Sequence, residues 1–186
     1  MHLHFINHKG HKGTQRKSSL PSGKAIIRVE ILGMRRTKAL TGLIACLIIY
    51  SASSPAQQKT SDVEHQLFNS VNQERKAHGL PTFKPDEALA TAARAHAQLM
   101  AEKGIVSHQL PGEPNLLTRA KTAGARFSWI SENVDQGPNP TAIHQSFMKS
   151  PQHRANILDT DMDSAGIGVA EHNGQLFAVE DFSKAK

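Results

Sequence analysis

The sequence predicts an α+β fold in which helices are layered on a small antiparallel sheet. Two observations predict it. Apolar residues recur at helical spacing between helix start and stop signals along residues 61–149, and two β-rich runs close the chain around a short, glycine-containing link. A chain of 186 residues, 38% of them hydrophobic, is long enough for one domain core and too apolar to be wholly disordered.

The first two helices are predicted from their termini. Ser61–Glu64 has the form of a capping box that opens the first helix, and Gly79 ends it. The second helix begins around Pro85–Glu87, where a proline and two acidic residues suit a helix N-terminus, and it ends at Gly104. The residues expected on the inward faces of these helices are Val63, Leu67, Phe68, Val71, Leu89, Ala93, His96 and Met100.

The rest of the domain mixes helices and strands. A third helix is predicted over residues 115–123, and a fourth over Pro140–Lys149, with Ile143 and Phe147 inward and the following Ser-Pro pair as its stop. Aromatic and β-branched residues predict an extended segment at Phe127–Val134. A hairpin is expected around the link 172–175, between the strands Ala165–Ala170 and Leu176–Phe182.

The positive charge of the chain lies almost entirely near its N-terminus. The formal net charge is +6, but residues 1–56 hold nine basic residues and one acid, a net charge of +8. Residues 57–186 hold 13 basic and 15 acidic residues, a net charge of −2. A basic protein suggests a nucleic-acid or anionic partner. Because the globular part has no basic stripe and few aromatic residues, we expect no nucleic-acid partner.

Residues 34–56 have the three parts of a secretory signal peptide. Positive residues follow Met34, residues 39–50 are twelve uncharged and mostly apolar residues, and Ser51–Ala56 resembles a cleavage signal before Gln57. The apolar stretch is shorter than the roughly 20 residues that span a bilayer, and its flanks disfavour the alternative of a short buried helix. We therefore expect an extracellular or periplasmic protein without a transmembrane span in the mature chain.

Residues 1–33 precede this signal and are rich in His, Lys, Gly and Ser. One interpretation is a basic arm that binds metal or nucleic acid. We favour the other, a non-native or disordered extension upstream of a true start at Met34, because such a stretch does not fit in front of a signal peptide.

Cys46 is the only cysteine, so no intrachain disulfide can form. Leu43–Cys46 matches the short pattern that precedes a lipid-modified cysteine in bacterial lipoproteins, but the strongly apolar residues 47–50 are unusual after such an anchor. We favour removal of Cys46 with the signal, and a lipid anchor is the alternative. The expected mature chain is a cysteine-free monomer with a polar lead-in at residues 57–62 and one domain at residues 63–183.

Six short stretches follow one another in order between Leu67 and Phe182. They are Val71–Arg75 before Gly79-Leu80, Leu89–His96, Ser107-His108 with Pro111-Gly112, Glu132-Asn133, Ser150–Leu158, and Gly166–Ala170. Together they resemble bacterial members of the CAP superfamily, also called SCP-like extracellular domains. The resemblance implies an α-β-α sandwich with a surface cleft, and it agrees with the secretion expected from residues 34–56.

The resemblance implies that His108, Glu132 and His153 line this cleft. Each follows a break in predicted regular structure, and loops on a rigid scaffold can bring polar side chains together. Two imidazoles and a carboxylate can bind Zn²⁺, with His108 and His153 as ligands and a fourth position open. Without metal they can form an acid/base cluster in which Glu132 orients a histidine. Alternatively, they satisfy buried backbone groups and pin loops to the core.

The chain departs from animal and plant members of that superfamily. The stretch Gln145–Lys149 lacks their second glutamate, Phe147 replaces the usual tryptophan, and Ser131 replaces the usual glycine before Glu132. Their disulfides are also absent. These differences weaken any transfer of activities from eukaryotic relatives.

The other histidines and two asparagines are expected to be structural. His96 fits a core histidine with satisfied hydrogen bonds, and Asn133 and Asn156 suit loop and turn capping. The remaining ones are not assigned to the cleft: His65 and His78 on a solvated helix face, His144 beside Ile143, and His172 in the hairpin link.

Stronger catalytic motifs are absent from the sequence, which has no G-x-S-x-G, H-E-x-x-H, phosphate loop or dinucleotide fingerprint. Ser107 beside His108 does not indicate a serine protease, because such triads are defined in space. Three hypotheses remain open. The first is a secreted module that binds a small apolar ligand, an envelope component or a divalent metal. The second is a metal-assisted, peptidase-like hydrolase with Glu132 as the base, and the third is a structural envelope protein.

Overall fold

The computed structural model describes residues 54–186, where five helices cover the two faces of a four-stranded sheet. The signal's charged and apolar parts, Cys46 and the histidine-rich extension lie outside the described residues. Within residues 54–186, no helix is both long and apolar enough to cross a membrane. In chain order the elements are α1 (Pro55–Ala77), β1 (Lys84–Pro85), α2 (Glu87–Lys103), α3 (Leu116–Thr122), β2 (Phe127–Gly137), α4 (Pro140–Lys149), α5 (Pro151–Ile157), β3 (Ser164–His172) and β4 (Gln175–Ala185).

The sheet has the strand order β1-β3-β4-β2, with β2 at one edge. The pairs β3–β4 and β4–β2 are antiparallel, as predicted, whereas β1 runs parallel to β3, so the sheet is mixed. The two-residue β1 was not predicted because it is too short to show a strand pattern. The Asn72 side chain holds its approach by bonding both the N–H and the carbonyl of Phe83, at 2.8 and 3.3 Å.

The predicted hairpin is present with a shorter link. His172 and Gln175 pair with each other, so only Asn173 and Gly174 form the turn. Both have positive φ, 51° and 75°, as a type I′ turn requires. This turn type suits the twist of two antiparallel strands.

The two faces of the sheet carry separate apolar clusters, which confirms the predicted layered α+β fold. On one face, Leu67 of α1 and Phe147 of α4 share an apolar cluster with residues of β3 and β4. On the other face, α2 packs through Ala93, Ala97 and Met100 against the residues Val134, Phe177 and Val179 of the sheet.

Two glycines let α2 lie directly on β3. A Cβ atom at Gly168 would stand 2.1 Å from the backbone nitrogen of Arg94, and one at Gly166 would stand 2.2 Å from that of Ala90. Only a residue without a side chain fits at either position. The alanines of α2 and the glycines of β3 therefore set the spacing between this helix and the sheet.

Most predicted helix termini are confirmed, but the start of α1 is wrong. Helix α1 begins at Pro55, and its N-cap is Ser54, whose hydroxyl accepts from the Gln57 amide at 3.2 Å. The residues predicted as a polar lead-in are thus helical. Glu64 does not close a capping box; it is buried and accepts from Arg94 and from the Val169 amide.

Helix α5 was missed because the Ser-Pro pair at residues 150–151 was interpreted only as a stop. Ser150 is the C-cap of α4 and also the N-cap of α5, and Pro151 takes the first position of the new helix. His153 therefore lies on a short helix and not in a loop.

Replacing Gly168 by alanine tests the packing of α2 on β3. Because the new Cβ would meet rigid helix backbone, we expect Gly168→Ala to lower the free energy of unfolding by more than about 2 kcal/mol, measured by urea denaturation. The matched control is Gly137→Ala, whose Cβ would come closest to the Ile143 side chain, at 2.9 Å, and no closer than 3.7 Å to helix backbone. An equal loss in both variants would contradict the assigned packing.

Candidate functional site

Glu132 and His108 form a contact at the surface end of a buried polar cluster. Glu132 lies inside β2, and its side chain is only 2% exposed, whereas His108 follows α2 and is 60% exposed. Glu132 Oε1 lies 2.9 Å from His108 Nδ1. Since a carboxylate only accepts, this nitrogen carries the proton, and in the neutral ring Nε2 is left as an acceptor facing outward. Glu132 lies inside β2, within the extended segment predicted at Phe127–Val134. The expectation that it follows a break in regular structure was wrong.

Arg119 engages the other oxygen of Glu132. Its Nη2 donates to Glu132 Oε2, and both side chains are almost fully buried. The Nη1 group of Arg119 also donates to the carbonyls of His108 and Pro114, at 3.1 and 3.3 Å. One guanidinium therefore fixes the carboxylate that orients the His108 ring and also the backbone that carries it.

His96 and Glu113 form a second buried pair behind Arg119. His96 Nδ1 lies 2.7 Å from Glu113 Oε1, and Nε2 lies 2.8 Å from the carbonyl of Ser107. The carbonyl only accepts, so Nε2 carries a proton, and one further proton is shared between Nδ1 and the carboxyl. The pair is therefore neutral overall whichever group holds that proton. This confirms His96 as a core histidine with satisfied hydrogen bonds.

His153 reaches the same region from the other face of the sheet, across the edge strand β2. Its ring is half-buried and stands edge-on to Phe147, with centroids 5.2 Å apart. Burial lowers the pKa of His153, the nearby His108 lowers it further, and Asp135 opposes the shift. The ring is therefore neutral at neutral pH. Within residues 54–186, His153 is hydrogen-bonded through its backbone carbonyl, and neither ring nitrogen has a hydrogen-bond partner.

Two asparagines join α5 to β2. Asn133 Nδ2 donates to the His153 carbonyl at 3.1 Å and to Glu180 Oε2 at 3.2 Å. Asn156 Nδ2 donates to Asn133 Oδ1 at 2.9 Å and to the Glu132 carbonyl at 3.3 Å. These bonds fix His153 relative to Glu132, which agrees with the structural role predicted for both asparagines.

Two neighbouring acids of β4 are buried on opposite faces of the sheet. Burial raises the pKa of Glu180 to about 8, against the favourable hydrogen bond from Asn133. Asp181 is the cross-strand partner of Glu132. Burial, and then the charge of Glu132, raises the pKa of Asp181 well above its usual range. Both carboxyl groups are therefore held in the neutral, protonated form at neutral pH.

The donor groups do not fit a resident zinc ion. Both oxygens of Glu132 are engaged, by His108 and by Arg119, which leaves only imidazole nitrogens. Across residues 54–186, no three His, Cys, Asp or Glu side chains are grouped as a bound metal requires. The metal-ligand role of His108 and His153 stays a prediction, and no step below depends on it.

Two pockets within residues 54–186 have walls that do not include His108, Glu132 or His153. One, of about 1110 Å³, opens between the start of α1, α2 and β3. The other, of about 700 Å³, lies between α2 and α3 and includes Glu113 and Arg119 in its wall. The buried half of the cluster therefore borders this second pocket.

Comparison with known proteins decides the family. Residues 68–182 match the model of CAP, the cysteine-rich secretory protein family. This chain belongs to the CAP family. The resemblance predicted from six short stretches is confirmed, and His108, Glu132 and His153 all fall within the matched residues.

Bacterial proteins are among its relatives. The uncharacterized protein YkwD of Bacillus subtilis (strain 168) is 30% identical over 122 residues, which are 65% of this chain and 48% of YkwD. An extracellular protein containing a SCP domain, from Bacillus anthracis, shares 25% identity with a TM-score of 0.65, over 73% of this chain and 45% of that one. This chain thus spans about half the length of these relatives.

A third likeness shows the CAP fold alone. An outer surface protein from Borrelia burgdorferi has a TM-score of 0.63 at 21% identity, over 68% of this chain and 96% of that chain. The domain described by residues 54–186 therefore corresponds to nearly all of one independent solved chain.

Sequence reasoning missed the buried half of the cluster. Arg119, Glu113, Glu180 and Asp181 have no motif of their own, and each acts through a partner distant in sequence. The other histidines lie where they were expected: His65, His78 and His172 are exposed, and His144 lies against Glu74 of α1 at 3.6 Å.

The buried Glu180 makes stability depend on pH. Its carboxyl ionises near pH 4.5 in the unfolded chain but near pH 8 in the folded protein, so unfolding releases a proton between these values. The free energy of unfolding is therefore highest below pH 4.5 and decreases as the pH rises towards 8. The decrease due to this group is on the order of a few kcal/mol. Asp181 adds a decline of the same sign.

Glu180→Gln removes this ionisation while keeping the shape of the side chain. Urea denaturation between pH 5 and 9 is expected to show a shallower decline for this variant than for the wild type. Glu102→Gln, a change of an exposed acid on α2, serves as the control and keeps the wild-type profile. Identical profiles for Glu180→Gln and the wild type would show that Glu180 is not held protonated.

Proposed function

We propose that this CAP domain works outside the cell as a binding module, with the imidazoles of His108 and His153 as its recognition groups. The signal-like residues 34–56 support secretion, as does the relative from Bacillus anthracis whose name describes an extracellular protein. The binding role rests on one observation, that both oxygens of the buried Glu132 carboxylate are engaged.

The engaged carboxylate gives Glu132 a positioning role. It accepts from Nδ1 of His108 and so leaves Nε2 as the ring nitrogen that a ligand can reach. His153 adds a second imidazole, whose pKa is lowered by burial. Since the pairs Arg119–Glu132 and His96–Glu113 each balance internally, the site suits an uncharged ligand that offers hydroxyl or N–H donors. An uncharged envelope glycan, rich in hydroxyl and amide N–H groups, has this chemistry.

The hydrolase alternative has less support from the geometry. A base must reach the proton it removes, and the Glu132 side chain is only 2% exposed, with both oxygens bonded. Ser107 is not a poised nucleophile, because its hydroxyl donates to the Gln109 carbonyl at 2.9 Å.

Binding of soluble, uncharged glycan fragments such as N-acetylglucosamine oligosaccharides, measured by calorimetry, tests the module. His108→Ala is expected to weaken binding by about tenfold, through loss of one hydrogen bond and its contact area. The matched control is His172→Ala, which removes an exposed histidine at the hairpin and keeps wild-type affinity. His172→Ala should keep the wild-type melting temperature, because its side chain is exposed. Circular dichroism checks that His108→Ala is folded, because this variant loses the hydrogen bond to the buried Glu132.

Other results would favour the alternatives. Stoichiometric Zn²⁺, lost together with hydrolytic activity in both His108→Ala and His153→Ala, would favour the hydrolase. No fragment binding, with substitutions that only lower the melting temperature, would favour a structural envelope protein.

A further inference from the structure

Strand β3 has a backbone edge that the fold leaves partly uncovered. Its neighbour β1 pairs with it only at Ser164 and Ala165. Beyond them, β3 continues to His172 with β4 on one side and no further strand of the described chain on the other. An open strand edge presents N–H and carbonyl groups that can pair with another chain.

Three independent observations show which residues turn their backbone groups outward. The Asp86 amide donates to the Ala165 carbonyl, so Ala165 faces away from β4. The Val169 amide donates to Glu64 Oε1 at 3.1 Å, so Val169 faces the same way. The two-residue turn makes His172 and Gln175 a hydrogen-bonded pair, which places Glu171 outward by alternation.

The outward groups are covered unevenly along the strand. Pairing with β1 covers the start of the edge, at Ser164 and Ala165, and Glu64 covers the Val169 amide. Glu64 is itself held by Arg94 at 3.0 Å. No other side chain of residues 54–186 bonds the outer backbone of β3, so the Val169 carbonyl and both backbone groups of Glu171 have no hydrogen-bond partner among these residues. Val169 is buried, and Glu171 is exposed.

These available groups lie in the wall of the pocket of about 1110 Å³, whose lining includes Val169–Glu171 and Asn173. Its other walls are the first two turns of α1 and the middle of α2. An edge between two helices suits one extended chain better than a second copy's β3, which is flanked by its own helices.

The lining also indicates the chemistry of the occupant. Its charges are balanced, since Lys59 pairs with Glu171 at 2.6 Å and Arg94 pairs with Glu64. The remaining polar side chains are mostly amides: Gln57, Gln58, Gln98 and Asn173. Such walls favour uncharged segments recognised mainly through their main chain.

We propose that this groove binds an extended, uncharged peptide segment of a partner protein, which adds as a strand to β3 by pairing with Glu171. This is a second binding surface, separate from the site of His108 and His153, and it does not depend on the function of that site.

Linear peptides selected from a displayed random library on the wild-type protein provide the probe. Glu171→Pro removes the outward N–H without removing a bond to β4, because proline is tolerated where the N–H faces outward at a sheet edge. The matched control is Glu171→Ala, which removes the carboxylate and its ion pair with Lys59 but keeps the N–H. Circular dichroism checks that both variants fold.

Selected peptides are expected to bind the wild type and Glu171→Ala with similar affinity and to bind Glu171→Pro at least about tenfold more weakly. In the wild type, the bound peptide should also slow hydrogen exchange of the Glu171 amide, a readout that needs no variant. Failure to select any binder, equal binding to Glu171→Pro, or unchanged exchange at Glu171 would each overturn the proposal.

Discussion

The buried ion pair of Arg119 and Glu132 is the interaction on which the site depends. It joins α3 to the edge strand β2, and the same guanidinium holds the loop before α3 through the carbonyls of His108 and Pro114. Removing two charges from water is costly, and their attraction offsets the cost only when the remaining donors and acceptors are also satisfied. Loss of one partner would leave the other charge buried alone, which typically costs about 3–5 kcal/mol. This makes Arg119 a structural requirement for the orientation of His108.

This constraint gives the acids of the sheet different roles, although all are buried. Glu132 is paired and orients an exposed imidazole, whereas Asp181 and Glu180 have no cation of their own and are held protonated by burial. Glu180 then supports Asn133, which ties α5 and His153 to β2. In the proposed binding site, two imidazoles would therefore meet the ligand, while the carboxyl groups behind them act by position.

Local signals were enough for much of the fold. The glycines at the ends of α1 and α2, the proline that opens α4 and the polar link of the hairpin each determine local backbone, and all were identified. Ser61 was chosen as a cap because residues 55–60 have no apolar periodicity, yet the helix continues back to Ser54. His108 and Glu132 were named through family resemblance. Arg119 was not, because its partner lies 13 residues away on another element and a seven-residue helix shows little pattern.

The role of Glu132 is to orient the His108 ring by accepting a hydrogen bond from Nδ1. The tautomer of His108 is therefore the most direct test of this role. Nitrogen-15 chemical shifts of the imidazole, recorded at neutral pH, report which ring nitrogen carries the proton. We expect the neutral His108 ring of the wild type to carry its proton on Nδ1 and none on Nε2. A neutral His108 ring protonated at Nε2, in the wild type and unchanged in Glu132→Gln, would contradict it.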